Sequence, residues 1–150
     1  MSVVHAVVGG AMTVLFLAAA ALGGWCWHRV SPSTWFWRLV RTAQVVMVVE
    51  VALGGVLLGL GRRPAGDLHY VYGLLPLAVS FVAEQLRIAA AETVLQARGL
   101  ASAQAVGELP ENEQRSLVLA IVRREIGVMA LAALVIVGLA LRAEFGMGGV

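Results

Sequence analysis

The chain has 150 residues, of which 60% are hydrophobic and 13% charged, and its mean hydropathy is +0.87. Soluble domains are usually about 45–50% apolar and about a quarter charged, so this composition excludes an ordinary water-soluble enzyme, a disordered tail and a nucleic-acid-binding protein. The net charge of +2 is too small to indicate a polyanionic partner, and the single cysteine excludes an internal disulfide or a cysteine-based metal site.

Four apolar segments approach the length of about 20 helical residues that a membrane core requires. They predict helices over residues 4–27, 40–61, 68–98 and 110–143. No positive charge precedes the first apolar stretch, so we expect a retained helix and not a cleaved signal peptide. The predicted fold is an all-α, integral-membrane four-helix bundle, forming a single domain in the inner (cytoplasmic) membrane.

The placement of arginine predicts the orientation of this bundle. Eight of the eleven basic residues, all arginine, lie between helices 1 and 2 or between helices 3 and 4, and three lie on the other side. Because cytoplasmic loops are enriched in arginine, we expect both termini outside. The four tryptophans lie at the first cytoplasmic boundary, where aromatic residues are typical of the membrane interface: Trp25, Trp27, Trp35 and Trp37.

The connection between helices 3 and 4 predicts a cytoplasmic helical hairpin. Helix 3 continues with apolar residues at helical spacing until about Gly99, and a new helix is predicted from Pro110, with Glu111 and Glu113 near its positive end. Two interpretations remain open, namely a surface for a partner and helix extensions that lie along the membrane interface.

Two histidines are the main candidates for chemistry. His5 opens helix 1 and His69 opens helix 3, and both helices enter from the same side. Gly9 and Gly73 follow four residues later, on the same helix face as each imidazole. A planar ligand held by the histidines needs that space, so the pattern predicts a slot for a six-coordinate haem. The alternative is that both rings are ordinary interfacial residues.

Arginine and tyrosine residues near His69 complete the predicted haem site. Arg62 and Arg63 precede His69 on the outer side, where paired guanidinium donors suit the haem propionates. Tyr70 and Tyr72 are expected to add hydrogen-bond donors or ring contacts. His28 lies near the opposite end of helix 1 and is not part of this site.

Residues 5–73 resemble the haem-binding half-module of the haem A synthase family. In that family a histidine opens one helix, the next helix carries a Gln and a Leu-Gly pair, and a histidine opens the third. The corresponding residues here are His5, Gln44, the Leu53-Gly54 pair and His69. The resemblance covers about half the chain and implies one haem b, held by His5 and His69 near the outer surface. A similarity to small membrane proteins of high-GC bacteria implies no function.

The departures from the family restrict what the resemblance implies. The synthases have two four-helix modules and an acidic residue upstream of the first histidine, whereas this sequence has length for one module and four residues before His5. The resemblance therefore implies cofactor binding without the synthase reaction. A bis-histidine iron has no open position for a substrate, so the expected role is electron transfer or haem handling, with a quinone or a redox protein as the partner.

Two further features allow alternative functions. Glu50, placed in mid-span on helix 2, could be a proton relay, a hydrogen-bond partner of a quinone, or a protonated carboxyl bonded to a neighbouring helix. Gly55 and Gly59 form a small-residue face that suits packing within the bundle, a homodimer or a larger complex. The main alternative function is a cofactor-free accessory or scaffold subunit. A small transporter using Glu50 is less favoured, since no inverted repeat is present.

Overall fold

The chain folds as a bundle of four long helices. The computed structural model describes residues 2–63, 66, 68–100 and 103–145. The helices are α1 (Ser2–Arg29), α2 (Thr34–Gly59), α3 (Leu68–Ala97) and α4 (Glu111–Phe145), with a 3₁₀ turn over Ala103–Glu108. The described residues include no strand, and all four helices are long and apolar enough to cross a membrane. The prediction of an all-α, four-helix membrane protein is confirmed to this extent.

The start of α2 differs most from the prediction. The helix begins at Thr34, well before the predicted residue 40, because Ser33 caps it. The Ser33 hydroxyl accepts a hydrogen bond from the backbone N–H of Phe36 at 3.2 Å, which satisfies one of the free donors at a helix N-terminus. The tryptophans at this boundary therefore lie on helices, and Arg38 stacks on the Trp35 ring at 5.2 Å.

The connection between α3 and α4 has the helix-ending and helix-starting residues that the sequence predicted. Gly99 adopts a φ of 68°, a left-handed conformation that favours glycine, and α4 begins directly after Pro110. Val94 near the end of α3 and Leu117 near the start of α4 are both buried. The helical hairpin is therefore present, and its two extensions bury apolar side chains.

Helix α4 is the centre of the packing. It packs extensively against both α1 and α3, and α1 packs against α2, whereas α2 and α3 contact each other little. About half of the apolar span of α4 is buried within the chain, against 11% for α2. At Gly23 a Cβ would lie 2.5 Å from the Phe36 ring and 2.8 Å from the Cβ of Ala130, so glycine permits α1, α2 and α4 to approach closely. The weak α2–α3 contact leaves that side of the bundle open.

Candidate functional site

Four titratable residues, one from each helix, meet where α1 and α3 begin. We call them the histidine site: His5, Glu50, His69 and Glu144. The ring centroids of His5 and His69 lie 6.1 Å apart, with 69° between the ring planes. The bundle thus brings together two side chains that are far apart in the sequence and belong to helices with little mutual contact.

Glu50 packs directly against His5. Its Oε1 lies 3.0 Å from Nδ1 of His5, and its side chain is 13% exposed. The sequence suggested mid-span, but α2 ends at Gly59 and Glu50 lies in the half of the helix nearer that end. The contact does not have the geometry of a hydrogen bond. Among the described residues, Nδ1 of His5, Oε2 of Glu50 and Nδ1 of His69 are buried without a hydrogen-bond partner.

Gly9 gives the Glu50 carboxylate its space. A Cβ at Gly9 would lie 2.8 Å from Oε1 of Glu50 and 3.8 Å from Oε1 of Glu144. The space beside Gly9 therefore holds a carboxylate, and not the opening for a planar ligand that its spacing from His5 suggested. A Cβ at Gly73 would meet nothing within 4 Å, so this second glycine has open space beside it.

The end of α4 contributes residues that the sequence did not single out. The Arg142 guanidinium lies 5.9 Å from the centroid of the Tyr72 ring, and Glu144 reaches the space beside Gly9. The position of Arg142 and Glu144 in the sequence could have indicated this, because the C-terminal end of α4 lies beside the start of α3 when consecutive helices are antiparallel. Of the other expected residues, Arg62 and Arg63 are exposed and follow the end of α2. The Tyr70 ring centroid lies 6.5 Å from that of His69.

A second polar group lies toward the opposite end of the bundle. We call it the arginine cluster: Arg41, Gln44, Ser80, Glu84, Arg87 and Glu125. Glu84 accepts hydrogen bonds from Arg41 (2.6 and 3.3 Å), from Gln44 (2.9 Å) and from Arg87 (3.2 Å). Arg87 also donates to Glu125 at 3.2 Å and lies over the Trp37 ring at 5.4 Å.

Gln44 is hydrogen-bonded within the arginine cluster and lies away from the histidines. Its amide donates to Ser80 at 3.0 Å and to Glu84, and its carbonyl oxygen accepts from Arg41 at 2.8 Å. The residue that matches the Gln of the haem A synthase pattern thus belongs to a hydrogen-bond network at the other end of the bundle from the histidines. Glu84 and Arg87 are three residues apart on α3, and their pairing is part of a network that joins three helices.

A groove of about 620 Å³ lies between α2 and α3, where the helices stand apart. Its polar lining comes from the arginine cluster, through Arg41, Gln44, Ser80 and Glu84. The remaining lining is apolar: Met47, Val48, Leu74, Leu77, Ala78 and Phe81.

The chemistry of the histidine site is that of two imidazoles and two carboxylates. In the described ranges, no group of three or more His, Cys, Asp or Glu side chains is arranged to hold a metal ion. Cys26 is buried in the apolar core. Comparison with family models, curated proteins and solved structures gives no match to this chain, so its function must be argued from its own residues.

Proposed function

We propose that this protein binds one haem b in the membrane, with His5 and His69 as its two axial ligands, and serves electron transfer or haem handling. The observation that carries this proposal is the 6.1 Å between the two ring centroids. At this separation the two imidazoles would be close enough to hold one metal group between them, since a metal–imidazole bond is about 2 Å long.

The surroundings of the two rings support the same assignment. A metal-bound histidine usually directs its second ring nitrogen to a carboxylate, a carbonyl or water. Glu50 is such a carboxylate beside His5: its Oε1 lies 3.0 Å from Nδ1, without hydrogen-bond geometry, so Nε2 would be the nitrogen that holds the ligand. A buried polar atom without a partner calls for an explanation, and Nδ1 of His69 is such an atom among the described residues. A group bound at this site would give that nitrogen a partner.

The chain's own residues would position the cofactor and adjust its charge environment. Haem held by two histidines supplies a one-electron iron couple without an open coordination position. Glu50 places a carboxylate beside His5, and Arg142 places a cation beside Tyr72 at the same end. Arg62 and Arg63, exposed just beyond α2, remain the proposed partners of the propionates.

The division of arginines supports an orientation for this site. Eight arginines lie toward one end of the bundle and three toward the other. By the positive-inside tendency, both termini and the histidine site would lie at the outer face of the cytoplasmic membrane. The arginine cluster and the α3–α4 hairpin would then lie on the cytoplasmic side.

One observation favours the alternative function, an accessory subunit without a cofactor. Gly55 and Gly59 are exposed, and a Cβ at either would meet nothing within 4 Å. The small-residue face is therefore not used by the contacts within the described chain. A second copy or a larger membrane complex could pack closely against it.

Difference spectra of the full chain test the haem proposal. The protein is expressed with added haem precursor, purified in mild detergent, and recorded as reduced-minus-oxidised spectra. Bis-histidine ligation predicts a sharp reduced α band, which His69→Ala removes because one axial ligand is lost. His28→Ala is the matched control, since this exposed histidine lies at the other end of α1, and it should leave the band unchanged.

A colourless but folded protein would reject the haem proposal and favour the accessory-subunit alternative. In that case Gly55→Leu should reduce self-association or co-purification with a membrane complex, measured by crosslinking in intact membranes. An α band that survives both His5→Ala and His69→Ala would instead reject this pair as ligands.

A further inference from the structure

The groove between α2 and α3 joins a hydrogen-bonding end to an apolar wall. Arg41, Gln44, Ser80 and Glu84 line one part, and the rest is lined by leucine, methionine, valine, alanine and phenylalanine side chains. Its volume of about 620 Å³ is within the range of small-molecule pockets. Leu74, Leu77 and Phe81 are exposed on the outside of the bundle. The groove therefore opens toward the lipid, and a ligand could enter without crossing the bundle.

The charges at the polar end of the groove balance one another. Arg41 and Arg87 provide two cations, and Glu84 and Glu125 provide two carboxylates. Both terminal nitrogens of Arg41 donate to Glu84, and one of them also donates to Gln44. A lipid phosphate would need a guanidinium that is not already paired with a carboxylate. The polar end therefore suits an uncharged head group.

Ser80 offers such a head group a donor. It is 7% exposed, and its Oγ accepts a hydrogen bond from Gln44 at 3.0 Å. Thr13 and Thr93 donate their hydroxyls to the carbonyl four residues earlier, at 3.0 and 2.7 Å. Ser80 makes no such bond within the described chain, where it serves as an acceptor only. A buried hydroxyl with an unused proton in a groove wall indicates a ligand that carries an acceptor oxygen.

We propose that this groove binds a lipid-soluble quinone or quinol. A ring oxygen accepts from the Ser80 hydroxyl beside Gln44, and the hydrocarbon tail lies along Leu74, Leu77 and Phe81 toward the lipid. An uncharged ring with two opposed oxygens and a long apolar tail matches the neutral polar end, the free donor and the lipid-facing wall. The proposal goes beyond the haem assignment and needs no haem, because the arginine cluster and the groove do not include the histidines.

Binding of a decyl-substituted benzoquinone to the full-length protein in mild detergent tests this assignment. Bound quinone is measured by equilibrium dialysis and chromatographic quantification. We expect saturable binding of about one quinone per chain. Ala78→Phe should weaken it at least about tenfold by filling the groove, since Ala78 is an exposed lining residue whose substitution leaves the core untouched. Ala18→Phe, on the exposed surface of α1, should leave it unchanged.

The Ser80 hydroxyl has its own test. Ser80→Ala should weaken quinone binding several-fold, whereas Thr93→Ala removes an exposed hydroxyl from the same helix and should have no effect. Non-saturable uptake that is equal in all variants would overturn the proposal, since it indicates partition into the micelle. Displacement of the quinone by equimolar phosphatidylglycerol would also overturn it, in favour of a phospholipid. Each result holds whether or not the preparation carries haem, so failure here is distinguishable from failure of the haem assignment.

Discussion

The histidine site and the arginine cluster contain the same numbers of basic and acidic groups but differ in how completely these groups are paired. Each has two basic and two acidic side chains contributed by neighbouring helices. In the arginine cluster, Glu84 accepts from three side chains, and Arg87 continues the network to Glu125. In the histidine site, three buried polar atoms have no hydrogen-bond partner among the described residues.

This difference separates a network of paired charges, which holds helices together, from a group of titratable side chains whose polar atoms remain unpaired in the described chain. Guanidinium groups keep their charge, so a completed network of arginine and carboxylate can hold helices together under any physiological condition. Imidazoles and carboxylates can exchange protons and bind metals, and unsatisfied atoms leave them available to do so. We therefore expect substitutions of the charged residues of the arginine cluster to affect stability, and substitutions in the histidine site to affect ligand properties.

The largest effect on stability is expected from Glu84→Ala. It leaves the donors of Arg41, Gln44 and Arg87 without their shared acceptor, which should cost about 2–3 kcal/mol. The single Cys26 is buried, so the rate of labelling by a thiol-reactive dye during heating reports unfolding. The apparent melting temperature should fall by roughly 5–10 °C.

Glu92→Ala is the control for this experiment, because Glu92 is an exposed carboxylate on the same helix. It should change the melting temperature little. Equal shifts for Glu84→Ala and Glu92→Ala would show that the arginine cluster does not stabilise the bundle, and the contrast between the two sites would be lost.

A smaller effect, on the cofactor and not on folding, is expected from Glu50→Gln. If His5 holds the iron of the proposed haem, a charged carboxylate beside it would favour the oxidised state, so Glu50→Gln should raise the reduction potential by roughly 30–60 mV. Redox titration of the α band measures the shift. The melting temperature should change little, since Oε2 of Glu50 has no hydrogen-bond partner to lose in the described chain. An unchanged potential would contradict a role of Glu50 in adjusting His5.

The smallest effect is expected from Gly9→Ala. The added methyl group would lie 2.8 Å from Oε1 of Glu50, the far end of a flexible side chain, so the carboxylate can move aside at a cost below about 1 kcal/mol. The potential should shift in the same direction as in Glu50→Gln, but by less. Gly10→Ala is the control, because a Cβ there meets nothing within 4 Å. Combining Gly9→Ala with Glu50→Gln should add nothing to the shift of Glu50→Gln alone.

The four helices could be predicted from the sequence because each is an apolar segment bounded by charges or turn residues. The approach of His5 to His69 was foreseeable as well, since both open helices that enter from the same side. The contact of Glu50 with His5 was not, because it depends on how α2 is rotated about its axis. A helix that is apolar on nearly every face carries no periodic signal for that rotation.

The same limitation explains why the contacts of Gln44 and the groove between α2 and α3 could not be predicted from the sequence. Spacing along α2 shows that Gln44 lies away from the cap and within the span, but not that it faces Ser80 and Glu84 on α3. That α2 and α3 stand apart depends on packing against α4, which the hydropathy of either helix alone does not specify. Short-range patterns such as the Ser33 cap could have been read from the sequence, and the start of α2 would then have been placed correctly.

The central position of α4 has a consequence for biosynthesis. Since α4 follows the other three helices in the chain, the ribosome has already produced α1, α2 and α3 before the helix that packs against both α1 and α3 emerges. Until then Arg87 lacks Glu125, and the space beside Gly9 lacks Glu144. A nascent chain would therefore hold unfinished polar layers within the membrane. Insertion of the last helix brings Glu125 to Arg87 and Glu144 to the space beside Gly9 in one step.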